Sequence, residues 1–297
     1  MANQSQVIFQ DKKSVHASRL IRSLQSLDKV ADPNTLPAGV WGSTATIRSG
    51  GITINSSDLD FDFSIPFDDK LEAVEGDITI YNLSDSTIKQ FKSDAELTIE
   101  AGYEGDTGLV FSGNIKKVST KRENADKVTT IKVACGTNSN ETVNMSFGKG
   151  TKASYILSKL IQKTGLAVGR FEIKSDYIYK NGETINTSLQ SAISTYAEVC
   201  GVQTIIVNGV INCCDTSAFN QVQFVISEST GMIGSPSPFE DQEEKGYDVE
   251  MLLQHRMTAG ALVELQSEQY SGKFHVKSGT HTFSSGGECK TEIKIVA

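Results

Sequence analysis

The feature that most constrains this chain is the stretch Leu59-Asp-Phe-Asp-Phe-Ser-Ile65, in which every second side chain is apolar. A period of two is the pleat of a β-strand with one buried and one wet face, as in an antiparallel sheet. Asp77 to Tyr81 repeats the pattern. Upstream, Ala45-Thr46-Ile47 and Ile52-Thr53-Ile54 flank Ser49-Gly50-Gly51, a hairpin signal. Glu96 to Tyr103, Leu109 to Val118 and Lys127 to Cys135 add three strands separated by polar, glycine-bearing turns. About seven short strands at near-regular spacing predict a sandwich or barrel. One helical turn, Asp85 to Phe91, interrupts them, with Ser84 as its N-cap.

The pattern changes after Phe147-Gly148-Lys149-Gly150. Thr151 to Thr164 places Ile156, Leu157, Leu160 and Ile161 on one helical face and stops at Gly165. Ser188 to Cys200 repeats this with Leu189, Ala192, Ile193, Tyr196 and Val199, and stops at Gly201. Val202 to Val207 and Val210 to Cys214 flank Asn208-Gly209, the signature of a type I′ hairpin. Pro236, Pro238 and the run from Glu240 to Lys245 read as an exposed loop. Tyr247 to Leu253, Leu262 to Gln266, Gly272 to Thr282 and Cys289 to Val296 then read as strands, with Met257-Thr-Ala-Gly260 as the turn between the first two. Near the start, Ser14 to Val30 carries Leu20, Ile21, Leu24 and Leu27 at helical spacing, and Asp32-Pro33-Asn34 breaks it. The expected organisation is mainly β with an α+β insert. It comprises an N-terminal arm or helix (1–44), a first β-barrel domain (45–148), a small α+β domain (149–225) and a second β-barrel domain (226–297).

Composition narrows the function classes. The chain has a net charge of -8 and no dense basic stripe, which argues against specific nucleic-acid binding. No apolar run reaches the roughly 20 residues of a membrane span, and the first residues do not read as a signal peptide. Cys135, Cys200, Cys213, Cys214 and Cys289 are an odd, scattered set without C-x-x-C, so they read as small buried hydrophobes.

No catalytic, cofactor-binding or metal-binding residue is assigned. His275 and His281 have the even spacing that shares a sheet face, with Glu288 or Glu292 across a hairpin, but a metal needs a third ligand. Asp58, Asp60 and Asp62 would share one strand face, and read as a wet face rather than a calcium site. Gly148-Lys149-Gly150-Thr151 lacks the glycine-rich cradle of a phosphate loop and reads as a hinge. The turns at Gly105-Asp106 and Ser284–Gly287 are the candidate subunit contacts on geometry alone.

Three stretches resemble, in order, the baseplate hub and late-control D-type tail proteins of phages and phage-like particles. They are Gly76-Asp-Ile-Thr-Ile-Tyr-Asn-Leu-Ser84; Leu97-Thr-Ile-Glu-Ala-Gly-Tyr103 followed by Leu109-Val-Phe-Ser-Gly-Asn-Ile115; and Leu252-Leu-Gln-His-Arg-Met-Thr-Ala-Gly260 followed by Val263-Glu-Leu265 and Gly272-Lys-Phe-His-Val276. The resemblance spans about residues 45–297 and leaves the N-terminal 44 unmatched. It implies two tube-like β-barrel domains and a non-enzymatic structural subunit. The implied assembly is a homotrimeric ring joining the sixfold tail tube to the threefold central spike. Implied partners are the tail tube or tube initiator protein, the spike, other baseplate subunits and the end of the tape-measure protein. The location is the tail of a phage or of a headless contractile particle, a tailocin, assembled in the host cytoplasm. The alternatives are a distal tail or receptor-binding module, and a tail-associated cell-wall hydrolase.

Overall fold

A computed structural model describes residues 42–68, 73–136, 141–215, 222–240 and 244–297. The expected helix over Ser14 to Val30 lies outside the described residues. The chain is mainly β with an α+β insert.

The first β unit comprises β1 (Ser43–Ser49), β2 (Ile52–Asn55), β3 (Phe61–Asp68), β4 (Val74–Tyr81), a short helix α1 (Asp85–Ile88), β5 (Glu96–Tyr103), β6 (Asp106–Glu123) and β7 (Asp126–Cys135). The insert comprises β8 (Thr142–Phe147), β9 (Thr151–Lys152), α2 (Ala153–Thr164), β10 (Ala167–Phe171), β11 (Ile178–Tyr179), β12 (Glu183–Ser188), α3 (Leu189–Val199), β13 (Gln203–Val207) and β14 (Val210–Cys214). The second β unit comprises β15 (Val222–Ile226), β16 (Met232–Glu240), β17 (Lys245–Leu252), β18 (Leu262–Gln266), β19 (Ser271–Ser284) and β20 (Cys289–Val296).

Local chemistry explains the boundaries. Ser84 caps α1 by accepting from the Thr87 amide at 3.1 Å, and Ser188 caps α3 by accepting from the Ser191 amide at 3.2 Å. Helix α2 stops where Gly165 turns left-handed, at φ 71°. The β13–β14 turn needs positive φ at both central residues, which Asn208 (49°) and Gly209 (76°) supply. The tip of that turn rests on the first β unit, where a Cβ on Gly209 would lie 3.2 Å from the Ser112 carbonyl oxygen.

Both β units belong to one 13-stranded sheet, which runs β16-β17-β20-β19-β3-β4-β7-β6-β5-β1-β2, with β18 and β15 branching from β19. The seam is the antiparallel ladder between β19 and β3, from Ser278↔Asp68 to Ser284↔Asp62. Each of these two strands serves both cores. On β3, Phe61 and Phe63 lie in the first core, and Phe67 packs against the second-unit core. On β19, Val276 lies in the second-unit core and Phe283 in the first. Phe283 packs on Phe61 and Phe63, with ring centroids 5.5 and 5.4 Å away. Ile52 and Ile54 of β2 share this core with Phe61 and Phe63, so the seven strands of the first unit wrap one interior in a barrel-like layer.

Several expectations are corrected. The alternation expected to begin at Leu59 starts as a strand at Phe61, and Asp58 sits in a turn, accepting from the Asn55 side chain at 2.8 Å. The proline segment expected as a loop is β16, an edge strand whose register shifts between Ile233 and Ser237. An edge tolerates proline because part of its ladder goes unused. Met257–Gly260 does turn the chain between β17 and β18, with the Ala261 amide donating to the Thr258 carbonyl at 3.1 Å, but the two strands it joins are not paired: β17 pairs with β16 and β20 whereas β18 pairs with β15 and β19. Two pairings cross the expected boundaries: β8 pairs with β12 of the insert, and β15 pairs in parallel with β18.

Phe283→Ala removes the side chain that both seam strands pack around, and is expected to cost about 3–5 kcal/mol. Urea denaturation followed by circular dichroism and by hydrogen exchange would show both β units losing protection in one earlier transition. Loss confined to the first unit would contradict the shared seam.

Candidate functional site

A polar network lies where the two β units meet, along the segment from Leu253 to Ala261. This connector between β17 and β18 is largely buried, with Leu253, Gln254, Met257, Ala259 and Ala261 inside. It holds both units at once. Arg256 donates two bonds of 2.7 Å, one to each carboxylate oxygen of Asp106 at the start of β6, and a third of 2.9 Å to the Gln254 side chain. A planar guanidinium matched to both oxygens fixes distance and orientation together. Burial raises the Asp106 pKa, but the Arg256 hydrogen bonds, together with the electrostatic pull of His255 and Arg256 and the Gln254 hydrogen bond, outweigh it and hold the carboxyl below its ordinary value. Nearby, the Tyr103 hydroxyl donates to the Cys289 carbonyl at 3.1 Å, and the same oxygen accepts from the Leu253 amide.

A hydrogen-bonded chain continues inward. The Gln254 amide donates to Thr291 Oγ1 at 3.0 Å, and Thr291 Oγ1 lies 2.9 Å from His281 Nδ1. His281 Nε2 lies 3.0 Å from the Met257 carbonyl, which can only accept. The proton therefore sits on Nε2, and Nδ1 accepts from the threonine hydroxyl. The ring also packs on Phe67 at 4.8 Å, inside the seam. Burial pushes the His281 pKa down to about 3. His255 packs on Gly108, where a Cβ would fall 2.1 Å from the imidazole Cδ2, so only glycine admits the ring. Burial, reinforced by Arg256, lowers the His255 pKa to about 4. At neutral pH its 3.9 Å approach to Asp106 is thus not an ion pair.

The sequence candidates fall into place on this frame. His275 and His281 both lie on β19, but a register shift between Val276 and Ser278 breaks the even spacing. The buried positions are Val276, His281 and Phe283, so parity changes along the strand and the two histidines do not share a face. His275 instead lines a cleft of about 760 Å³ between the insert and the second β unit, with Glu198, Gln203, Ile205 and Lys277. Asp62 accepts from the Tyr81 hydroxyl at 2.9 Å, which raises the tyrosine pKa. Among the described residues no group of three or more His, Cys, Asp or Glu side chains could hold a metal ion. Burial raises the thiols of Cys135, Cys200 and Cys214 to about 11 and Cys213 to about 12. The Gly105-Asp106 and Ser284–Gly287 turns are already engaged within the chain. Asp106 holds Arg256, and Ser285 both donates to and accepts from the Phe61 backbone. No described helix is long and apolar enough to cross a membrane.

Two histidines kept neutral by burial make the junction acid-sensitive. Their folded pKa values lie below the ordinary 6.5, so this stability is fully present above 6.5 and is lost as pH falls toward about 4 and about 3. At roughly pH 5 the expected loss is about 2 kcal/mol per histidine. Urea midpoints at neutral pH and near pH 5 measure it. His255→Asn/His281→Asn should be less stable at neutral pH and show a flatter profile, whereas an unchanged slope would remove the pair as the cause.

The comparisons with known proteins converge. The family described as "Baseplate hub gp41" matches residues 72–272. The fold resembles a tail protein from Neisseria meningitidis MC58, with TM-score 0.60 and 11% identity over 86% of this chain and 97% of that one. It equally resembles the 43 kDa tail protein of prophage MuSo2 from Shewanella oneidensis, with TM-score 0.60 and 10% identity over 86% and 97% of the two chains. The Escherichia coli c3393 protein has TM-score 0.60 and 10% identity over 84% of this chain and 76% of its own. It is described as a type VI secretion component with structural similarity to the T4 bacteriophage tail proteins gp27 and gp5. At such identities the likeness is one of fold. No curated protein sequence matches the chain. Two of the three stretches that resemble tail hubs carry Tyr103, Ser112 and the connector from Leu253 to Gly260, and these hold the units together. The family match covers more than half of the sequence, and the chain belongs to the baseplate hub gp41 family.

Proposed function

We propose that the protein is a structural hub subunit of a phage-type tail baseplate, working as a homotrimeric ring between a sixfold tail tube and a threefold spike. The observation that carries this reading is the β3–β19 ladder, which fuses the two β units of one chain into one sheet. Three copies then offer six units of related shape, a way to meet a sixfold ring from a threefold one. The tube or tube initiator protein would bind on one side and the spike on the other, with the tape-measure protein ending nearby. Assembly would take place in the host cytoplasm.

The same chemistry supports a role without catalysis. His281 spends both ring nitrogens on structural hydrogen bonds, and burial keeps four of the five cysteines as thiols. A nucleophile or general base needs an accessible, activated group, and these are neither.

The ring makes a stoichiometric prediction. Quantitative mass spectrometry of purified tail particles, calibrated with labelled peptides, is expected to find three copies of this chain for every six tube subunits in one ring layer. Six copies per layer, or a single copy, would refute the threefold adaptor.

A further inference from the structure

Four large hydrophobic side chains are exposed among the described residues, and three of them lie on the insert around the start of α2. Tyr155 is 45% exposed, Tyr177 58% and Ile178 48%. Tyr155 stands on the first turn of α2, edge-on to Phe147 at 6.3 Å. Tyr177 stands edge-on to Tyr179 at 4.9 Å, and Ile178 is paired with Lys152 in the β9–β11 ladder. A single exposed apolar residue needs no explanation, whereas a cluster of this kind marks a contact surface.

The cluster is held rigidly. Helix α2 has no side-chain cap of its own at Lys152. Asp176 supplies one from outside, accepting from the Ser154 amide and hydroxyl at 3.0 Å each. The Ala153 amide donates to the Tyr177 carbonyl at 2.8 Å. Segment 176–178 is therefore pinned to the helix start, and its side chains cannot readily fold inward.

The rim is basic. Lys149, Lys152 and Lys180 are exposed beside the cluster, and Lys159 lies 5.5 Å from the Tyr155 ring centroid. Of these four, Lys152 alone has an acidic partner among the described residues, Asp176. Residues 141–215 carry seven Lys and Arg against six Asp and Glu, so the rest of the chain, with 21 against 30, holds all of the net negative charge. The first 41 residues do not supply it, having five basic and three acidic side chains. The acidity belongs to the segments that form the two β units.

We infer that this basic, aromatic face of the insert docks on the acidic β surface of a second copy of the chain. The contact is head-to-tail, joining two different surfaces, and such a contact closes into a ring when its rotation permits. Tyr177, Ile178 and Tyr155 would be the anchors, and the lysines would set orientation and salt dependence. The inference rests on the ring reading and names the surface that builds the ring.

Light scattering of the full chain over a concentration series tests it. The wild type should approach three times 32.1 kDa, and should dissociate in about 1 M salt, where screening falls to about 3 Å. Tyr177→Ser/Ile178→Ser should move the midpoint of association to a concentration about tenfold higher or more, as loss of an interface anchor does. Lys149→Glu/Lys180→Glu alters only exposed tips and should do the same with an unchanged thermal melt. If both variants associate like the wild type, the proposed face is wrong and the ring reading stands on the particle copy number. A wild type that stays monomeric at every concentration also overturns the contact, and the copy number then decides the ring separately.

Discussion

Everything in this molecule depends on the ladder between β3 and β19. Neither strand belongs to one unit alone: β3 leaves Phe61 and Phe63 in one core and Phe67 against the other, while β19 does the reverse with Val276 and Phe283. A linker between two domains allows relative motion by default. Two strands that each cross from one core to the other do not, because a hinge there would have to break the ladder and open both cores. The Arg256–Asp106 bridge and the chain from Gln254 through Thr291 to His281 brace the same seam from the side. Pairing sets the relative placement of the units, and the polar network keeps it.

The insert is the third body on this frame. Its β13–β14 turn rests on Ser112 of the first unit, while Ile205 of β13 approaches Gly260, at the end of the buried connector, where a Cβ would lie 3.0 Å away. It thus touches both β units near their seam. Its outer side, capped by Asp176 at the start of α2, is left to carry the aromatic cluster. A body clamped on one side, with exposed aromatic and apolar side chains within a basic rim on the other, suits contact with something beyond the chain.

Much of the fold was legible in local patterns. The alternation through Phe61, Phe63 and Ile65 names the inward face of β3, Asn208-Gly209 names the β13–β14 turn, and Ser84 and Ser188 name helix starts. These features depend on neighbours within a few residues. What was illegible depends on distance. Arg256 and Asp106 stand 150 residues apart, and nothing local marks them as partners. The bulge after Val276 changes which side of β19 faces inward, so the spacing of His275 and His281 misleads. Pro236 and Pro238 read as loop because proline is excluded from central strands, and only the topology reveals that β16 is an edge. Nothing local marks Tyr177 and Ile178 as exposed, and the Asp176 cap that pins their segment to the start of α2 comes from the fold.

The prolines of β16 have a consequence of their own. A 13-stranded sheet is a large template, and at the crowding of an assembly site its free margins could recruit identical chains without limit. The margins are β2, only four residues long; β15, five residues long and broken in register between Val222 and Phe224; and β16, broken in register and bearing proline at two alternate positions. None of the three offers a long, regular row of amide donors, so growth by strand addition is poorly supported at every margin. The fold thereby disfavours open-ended growth by strand addition, and leaves contact with other chains to side-chain surfaces, whose geometry can count and then stop.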